Sequence, residues 1–350
     1  MANEIEKVNT IEIADIEKFN GKTDDNIEKL NAFEFVGVVN PLFAGTRGVV
    51  GGGEDEGTKL NIIQYKTIAS DANTSDFGDL NYYAFGMAGA GSNITRGIFT
   101  GGSRASSAGG SSSDSNDADY ITVGSTGNGT DFGNLNDAAR QGFPGGGSSN
   151  GTLLFVAGGF QYSGSLTSLN RMEYFTIAST GNGTDAGNLS EAKWAMAGTH
   201  GNTRYLAYTG YNGTAVLNTI EYNDFSTSAN VSDFGDASTA SYTGSSVEST
   251  TRAVFTLGQP ALGKSNIIEY VTVASTGNVT DFGDLTAVRS HTSGYTDGTR
   301  GEFAGGEEQD GHAQPDVNKI EKITIASTGD ASDVGDLLTD GQYFSALSGT

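Results

Sequence analysis

The chain has 350 residues, with 52 glycines, four prolines, no cysteine and a formal net charge of −23 at pH 7. The absence of cysteine excludes disulfides, thiolate metal sites and cysteine nucleophiles. So negative a surface repels phosphate backbones and anionic lipid, and the sequence lacks the run of about 18 apolar residues that a membrane-spanning helix needs. We therefore expect no nucleic-acid partner and no membrane insertion, and the acidic N-terminus does not resemble a secretory signal.

The first 33 residues repeat with a spacing of 11, as IEKVN, IEKFN and IEKLN from Ile5, Ile16 and Ile27. A period of 11 also occurs in right-handed coiled coils, but the turn signal Asn20-Gly21 and the β-branched runs favour short strands or an extended arm. Three such copies bury too little apolar surface to fold alone. We therefore predict an attachment or oligomerisation arm at residues 1–33 and a separate domain at 34–350.

Within residues 34–350, one motif recurs six times and is seen most clearly as STGNVTDFGDL at 275–285. A glycine-terminated apolar run precedes each copy, such as ITRGIFTGG at 94–102, and runs of this length rich in Val, Ile, Phe and Tyr predict buried strands. We expect about four short strands per repeat. With a period near 50 residues, this predicts an all-β fold, a β-propeller of six or seven four-stranded blades. The copies begin at Tyr65, Tyr120, Tyr174, Tyr222, Tyr270 and Lys322.

The repeats resemble kelch-type propellers, in which one strand ends in a double glycine and an Ile-Glu-x-Tyr-like strand follows. Gly101-Gly102 and Tyr120 match these features in one repeat, and Arg140 and Arg289 match an arginine near the start of the fourth strand. The chain departs from the family at its tryptophan, because Trp194 is the only one. The resemblance covers about residues 35–340 and implies architecture without function. A seventh blade would draw on residues 16–31 and 341–349, and joining the chain ends in one blade suits either count.

The IEKxN arm followed by glycine-rich repeats also resembles virion structural proteins of tailed bacteriophages, over the whole chain. This resemblance implies a virion location, as a tail fibre, tail-associated or appendage protein without enzymatic activity or cofactor. Residues 1–33 would bind other virion proteins or form a homo-oligomer such as a trimer, and the propeller loops would bind a host-surface glycan or protein. A capsid-surface decoration protein and a polysaccharide-degrading tail enzyme are the alternatives.

The repeated motif itself looks like a ligand-binding loop, but a catalytic carboxylate is not needed in every repeat. We predict that its first aspartate accepts backbone N–H groups in an Asx-type turn and that its phenylalanine fills the space between blades. These aspartates are Asp76, Asp131, Asp185, Asp233, Asp281 and Asp333. A further hypothesis pairs each aspartate with an arginine of the TRG strands, because a planar guanidinium suits carboxylates. These arginines are Arg47, Arg96, Arg204, Arg252 and Arg300.

Metal and catalytic chemistry find little support in the sequence. The acidic stretches 114–119 and 307–316 offer oxygen ligands but lack the spacing of an EF-hand, so we expect solvated loops and no metal. The three histidines, His200, His291 and His312, lie in separate repeats, and a triad or zinc site is therefore not expected.

Recognition is expected where the copies differ, between the double-glycine strand and the IEY strand. We expect these insertions to gather on one face of the ring. Tyr162 and Tyr211 are the predicted binding residues, since aromatic side chains bind sugars and protein grooves at modest ordering cost. The insertions are residues 104–117, 160–170, 211–218, 258–266 and 307–316.

Overall fold

The computed structural model describes residues 45–87, 89–111, 113–136, 146–162, 165–201, 203–225, 229–309 and 314–350, together with the backbone of six short strands between residues 7 and 34. The chain divides into two compact units, Met1–Pro41 and Leu42–Thr350. The described residues form strands, turns and bends without a helix, which confirms the predicted all-β class. Consequently this part of the chain contains no helix that could cross a membrane.

In the first unit, the described backbone forms three antiparallel pairs of two-residue strands. Lys7–Val8 pairs with Ile11–Glu12, Lys18–Phe19 pairs with Lys22–Thr23, and Lys29–Leu30 pairs with Phe33–Glu34. The pairs recur every 11 residues, in step with the sequence repeat. The prediction of short strands is therefore confirmed, and the coiled-coil alternative is wrong.

The second unit contains six antiparallel sheets, each with four strands in the same order, which we number 1 to 6. The first strand of each sheet pairs with the second, the second with the third and the third with the fourth. Sheet 1 contains Ser345–Gly349, Arg47–Gly51, Ile62–Thr67 and Ser75–Asp79. Sheet 2 contains Gly89–Asn93, Arg96–Thr100, Asp117–Thr122 and Thr130–Asn134. Sheet 3 contains Gly146–Ser149, Leu153–Ala157, Arg171–Thr176 and Thr184–Asn188.

The remaining three sheets have longer third and fourth strands. Sheet 4 contains Ala197–His200, Tyr205–Tyr211, Val216–Asn223 and Ser232–Tyr242, with Gln259–Pro260 as a fifth strand. Sheet 5 contains Ser246–Glu248, Arg252–Thr256, Ser265–Thr272 and Thr280–Ser290, with Glu307–Glu308 as a fifth. Sheet 6 contains Ser293–Thr296, Arg300–Ala304, Val317–Thr324 and Ser332–Gly341. Further short strands are Glu54–Asp55, Thr58–Lys59, Tyr83–Phe85, Ser103–Ala105, Ser113–Asp114, Phe160–Tyr162 and Leu166–Ser168.

The sheets follow one another in a closed cycle. The first strand of each sheet contacts the first strand of the next, and the C-terminal strand Ser345–Gly349 contacts those of sheets 2 and 6. This C-terminal strand pairs with Arg47–Gly51. The start and the end of the second unit therefore share sheet 1.

Six apolar clusters, one between each pair of neighbouring sheets, form the core. Second strands such as Arg252–Thr256 are buried almost throughout, as continuous apolar runs are when sheets cover both of their faces. The motif phenylalanine is buried in four clusters, and Ala186 and Val334 take its place in the other two. These findings confirm that this residue fills the space between sheets. The four phenylalanines are Phe77, Phe132, Phe234 and Phe282.

Deletion of residues 345–350 should lower the thermal stability of the second unit. It removes the first strand of sheet 1, leaves the backbone of Arg47–Gly51 as an open edge and removes the buried Leu347. Loss of one buried leucine costs about 2–5 kcal/mol, so the melting temperature followed by circular dichroism should fall by roughly 10 °C. An excess of a peptide spanning residues 343–350 should restore part of the loss by mass action. An unchanged melting curve would contradict this account of the closed cycle.

Candidate functional site

The repeated motif joins neighbouring sheets. In the copy at 275–285, the backbone N–H of Gly277 donates to the carbonyl of Phe234 in the preceding sheet, at 2.7 Å. The side-chain Oδ1 of Asn278 accepts the backbone N–H of Asp236 in that sheet, at 3.1 Å. The side-chain bond recurs at all six junctions, including the junction of sheet 6 with sheet 1. The six acceptors are Asn73, Asn128, Asn182, Asn230, Asn278 and Asp330.

The glycine after the motif phenylalanine is required because this loop approaches so closely. Gly133 has a φ of 149°, and a Cβ built on it would lie 2.3 Å from the carbonyl oxygen of Gly181 in the next sheet. The equivalent Gly283 has the same φ, and its Cβ would lie 2.5 Å from the carbonyl oxygen of Gly329. Any other residue would force the two backbones apart.

A buried acid or amide in the third strand makes a second bond at each junction. Glu321 accepts the backbone N–H of Thr286 at 3.1 Å, and Glu173 accepts that of Asn136 at 2.8 Å. In each case the donor directly follows the motif of the preceding sheet. The sequence alone does not predict this role, although an acid or amide stands at the same place in all six copies. The six acceptors are Gln64, Asp119, Glu173, Glu221, Glu269 and Glu321.

Buried cations accompany some of these carboxylates. Arg289 Nη2 lies 2.6 Å from Glu321 Oε2, and both side chains are fully buried. Lys193 Nζ lies 2.8 Å from Glu221 Oε2. Because a buried charge without a partner is strongly destabilising, these pairs hold neighbouring sheets in one alignment.

The TRG arginines bind backbone carbonyls rather than the predicted aspartates. Arg252 lies over its own sheet's Tyr270, 4.4 Å from the ring centroid, and its Nη1 donates to the carbonyl of Ile325 in the next sheet at 3.0 Å. Arg47, Arg96 and Arg204 make the same pair of contacts. Arg300 instead forms ion pairs with Asp71 and Glu302.

The predicted pairing between aspartates and arginines is therefore wrong. The motif aspartates, Asp76, Asp131, Asp185, Asp233, Asp281 and Asp333, are exposed to water, where an ion pair would contribute little. The arginine finds both a ring face and a carbonyl acceptor at the sheet junction. The Asx-type role is confirmed in two copies, since Asp185 accepts the N–H of Gly187 and Asp333 that of Gly335.

The non-repeating insertions bond to one another at one end of the sheets. The Tyr162 backbone N–H donates to Asp114 Oδ2 at 2.6 Å, which joins the insertions of sheets 3 and 2. Lys264 Nζ lies 2.7 Å from Glu307 Oε2, which joins those of sheets 5 and 6. An equivalent hydrogen bond joins the insertions of sheets 3 and 4. In sheet 1 the corresponding stretch is the hairpin of Glu54–Asp55 and Thr58–Lys59, whose Lys59 and Glu56 bond to the insertions of sheets 2 and 6. The prediction that the insertions gather on one face is confirmed.

A cleft opens at the remaining junction, between sheets 4 and 5. Among the described residues, no hydrogen bond or ion pair joins the insertion 211–218 to the insertion 258–266. The cleft has a volume of about 550 Å³. Its lining residues are Trp194, Tyr211, Thr214, Ala215, Val216, Tyr242, Gln259, Pro260 and Ala261.

Three aromatic rings form the base of this cleft. The ring centroids of Trp194 and Tyr211 are 5.3 Å apart, and those of Tyr211 and Tyr242 are 5.9 Å apart. Backbone hydrogen bonds join Trp194 to Tyr211 in both directions, and Tyr242 pairs with Gln259 across the strands. Burial, helped by Tyr211 and Glu307, raises the pKa of the Tyr242 hydroxyl. The rings therefore stand on paired backbone, and the Tyr242 hydroxyl stays protonated at neutral pH.

Tyr211 thus lines the cleft, whereas Tyr162 lies outside it, with 65% of its surface exposed. Trp194 and Tyr242 are not predicted from the sequence as binding residues. Both precede a residue with positive φ, Ala195 and Thr243, in the segment that leads from one sheet to the next. Because this connecting segment recurs between sheets, its residues could have been considered as site candidates. Nothing in the segment indicates that the rings of Trp194 and Tyr242 lie close together.

The side chains of Ser148, His200 and Glu248 line a cavity between the first strands of the sheets. His200 Nδ1 lies 2.7 Å from Ser148 Oγ and 3.4 Å from Glu248 Oε1, and Thr199 Oγ1 donates to Glu248 Oε2 at 2.8 Å. Desolvation by burial lowers the pKa of His200 to about 3 and raises that of Glu248 to about 7. Because serine and acid face the same ring nitrogen, this group lacks the arrangement of a catalytic triad, which uses both.

Within the described ranges, the other candidates for metal or catalytic chemistry are not assembled into a site. His291 is buried with its Nδ1 3.0 Å from Ser290 Oγ. No group of three or more His, Asp or Glu residues that could hold a metal occurs in the part of the chain that the structure describes. His312 and Arg140 lie outside the described residues.

Replacement of Gly133 by alanine should destabilise the fold, whereas the same change at Gly127 should not. The two glycines belong to one motif copy, but a Cβ on Gly127 meets nothing within 4 Å. We expect Gly133→Ala to lower the free energy of unfolding by more than about 2 kcal/mol and Gly127→Ala to change it by less than about 1 kcal/mol. Urea titration measures both, and equal effects would contradict the role assigned to the close approach.

The stability of Glu248→Gln should exceed that of the wild-type protein in a pH-dependent way. The folded state holds the pKa of Glu248 near 7, above its ordinary value of 4.5, so folding favours the protonated carboxyl. The resulting cost to stability is absent below pH 4.5, grows between 4.5 and 7 and is constant above 7. Thermal unfolding should show a gain on the order of 3 kcal/mol at pH 8 and none at pH 4. The exposed Glu56→Gln is the control, and a gain that does not change with pH would contradict the prediction.

Comparison with protein-family models and with curated proteins finds no match for this chain. The functional assignment therefore rests on the geometry of the second unit. Within that unit, the repeated loop asparagines and the buried third-strand acids bond neighbouring sheets to each other. The cleft between sheets 4 and 5 is the candidate binding site.

Proposed function

We propose that the six sheets of the second unit are the blades of a β-propeller, in which both ends of the unit contribute to one blade. Four antiparallel strands per sheet and a closed cycle of first strands support this arrangement. The same side-chain bond at all six junctions supports it further, because radial repetition places every sheet in an equivalent setting. Double glycines with positive φ, such as Gly101-Gly102, agree with the resemblance to kelch repeats.

On this scaffold, the chain would serve as a non-enzymatic structural protein of a tailed-phage virion, as a tail fibre or tail-associated adhesin. Residues 1–33 would attach it to other virion proteins, and the insertion face would bind the host surface. The observation that carries this proposal is the division between the repeated residues, which bond sheet to sheet, and the insertions, which bond to one another on one face. Such a division leaves the insertions as the part that can vary with the receptor.

Binding is favoured over catalysis by the geometry of the polar groups. The repeated aspartates are exposed and dispersed over six sheets, so they cannot act as a pair across one bond. The Ser148, His200 and Glu248 group shares one nitrogen of the histidine. By contrast, the cleft between sheets 4 and 5 combines aromatic rings with a few polar groups, as ligand-binding pockets do.

Location on the particle and adsorption to cells test the proposal. Antibodies against the full chain should label the tail of intact particles in electron micrographs, and the purified chain should slow the adsorption of those particles to susceptible cells. Label on the capsid would favour the decoration protein. Release of reducing sugars from host envelope polysaccharide by the purified chain would favour the enzyme. Particles without the chain would contradict a virion role altogether.

A further inference from the structure

The cleft between sheets 4 and 5 is uncharged, although the protein has a net charge of −23. None of its nine lining residues is Asp, Glu, Lys, Arg or His. An anionic ligand would be repelled by the surrounding protein and would meet no cation in the cleft. A cationic ligand would find no carboxylate among the lining residues. The uncharged lining therefore favours a neutral ligand over an anionic one.

The neutral ligand must be polar as well as able to stack. Among the described residues, the amide of Gln259 and the hydroxyls of Thr214 and Tyr242 have no protein hydrogen-bond partner. A wholly apolar ligand would cover these groups and leave them unpaired, which costs about 1–3 kcal/mol for each group. A sugar ring has an apolar C–H face that packs on aromatic rings and hydroxyls at its edge that exchange hydrogen bonds.

At the junction between sheets 5 and 6, the position equivalent to the cleft is occupied by the side chains of Lys264 and Glu307. There Ser290 takes the position of Tyr242 and pairs with Glu307, as Tyr242 pairs with Gln259. The ion pair of Lys264 with Glu307 joins the two insertions at this junction. The fold thus does not require a cleft at a junction, and side-chain replacement has produced one between sheets 4 and 5.

We propose that this cleft binds a neutral oligosaccharide, held by Trp194, Tyr211 and Tyr242 with polar contacts from Thr214 and Gln259. Its volume of about 550 Å³ lies within the usual range of ligand pockets, about 300–1,000 Å³. Because backbone pairing holds the rings in place before binding, little ordering is required of the protein. The inference deepens the proposed recognition of the host surface and rests on it for the source of the sugar.

Trp194 is the only tryptophan of the chain, so its fluorescence reports on the cleft directly. Full-length protein would be titrated with cellohexaose, maltohexaose, laminarihexaose, neutral oligosaccharides released from the envelope of susceptible cells, and an oligogalacturonate as the anionic comparison. We expect a saturable change with at least one neutral oligosaccharide and none with the oligogalacturonate. A chain that gives no saturable change with any neutral sugar would overturn the proposal.

Substitutions then locate the binding site. Tyr211→Ala should weaken binding by about tenfold or more, as removal of a central aromatic contact does. Tyr82→Ala is the matched control, because this tyrosine is exposed and does not line the cleft, and it should bind as the wild type does. Ala261→Arg adds bulk at an exposed lining residue without disturbing the core and should also abolish binding, even if Tyr211→Ala fails to fold. Equal affinity in the wild type and Ala261→Arg would overturn the assignment.

The outcomes separate this inference from the proposed function. Sugar binding by a chain that is absent from particles would support the cleft and contradict the virion role. Adsorption slowed equally by the wild type and by Ala261→Arg would support the virion role and contradict the cleft as the receptor site.

Discussion

The second unit depends on one close approach, in which the loop before the fourth strand of each sheet, STGN in the copy at 275–278, lies against the backbone of the preceding sheet. The glycine after the motif phenylalanine allows the approach, and the asparagine or aspartate of the loop accepts the backbone N–H of the residue that directly follows this glycine. Because this contact involves backbone on both sides, it sets the spacing between sheets independently of the apolar side chains. Repeated six times, with the last contact between Asn73 and Asp336, it closes the cycle of sheets.

A second set of contacts makes the alignment of the sheets specific. Five carboxylates and one amide are buried in the third strands, each with a donor from the preceding sheet. Burial of a carboxylate is costly unless it is hydrogen-bonded, so a sheet displaced along its neighbour would leave these groups unpaired. Asp119 illustrates the geometry, because its shorter side chain is reached by the side chain of Asn81 rather than by a backbone N–H. The acidic composition of the chain is thus used in its interior as well as on its surface.

The repeated contacts also explain where recognition can occur. Residues that bond sheet to sheet must keep a suitable acceptor at each junction, whereas the insertions need only bond to their neighbours. At five junctions they do so, and at the sixth the rings of Trp194, Tyr211 and Tyr242 line a cleft. The proposed receptor site therefore lies where the residues of the insertions differ from those of the other repeats. The strands that carry these insertions keep the repeated arrangement.

The sequence by itself determined the all-β class, the positions of most strands, the burial of the motif phenylalanine and the clustering of the insertions. These features follow from residue period, turn residues and repeat length, which act over a few residues or recur in every copy. Tertiary structure alone decided the partners of the arginines, the role of the buried acids and the meeting of Trp194 with Tyr242. Each of those contacts joins residues from neighbouring repeats, about 30 to 80 positions apart in most cases. The geometry of these contacts depends on how two sheets pack against each other, and no pattern of a few residues predicts which distant residues will meet. For the same reason Tyr211 could be selected from sequence as an aromatic in an insertion, but the cleft around it could not.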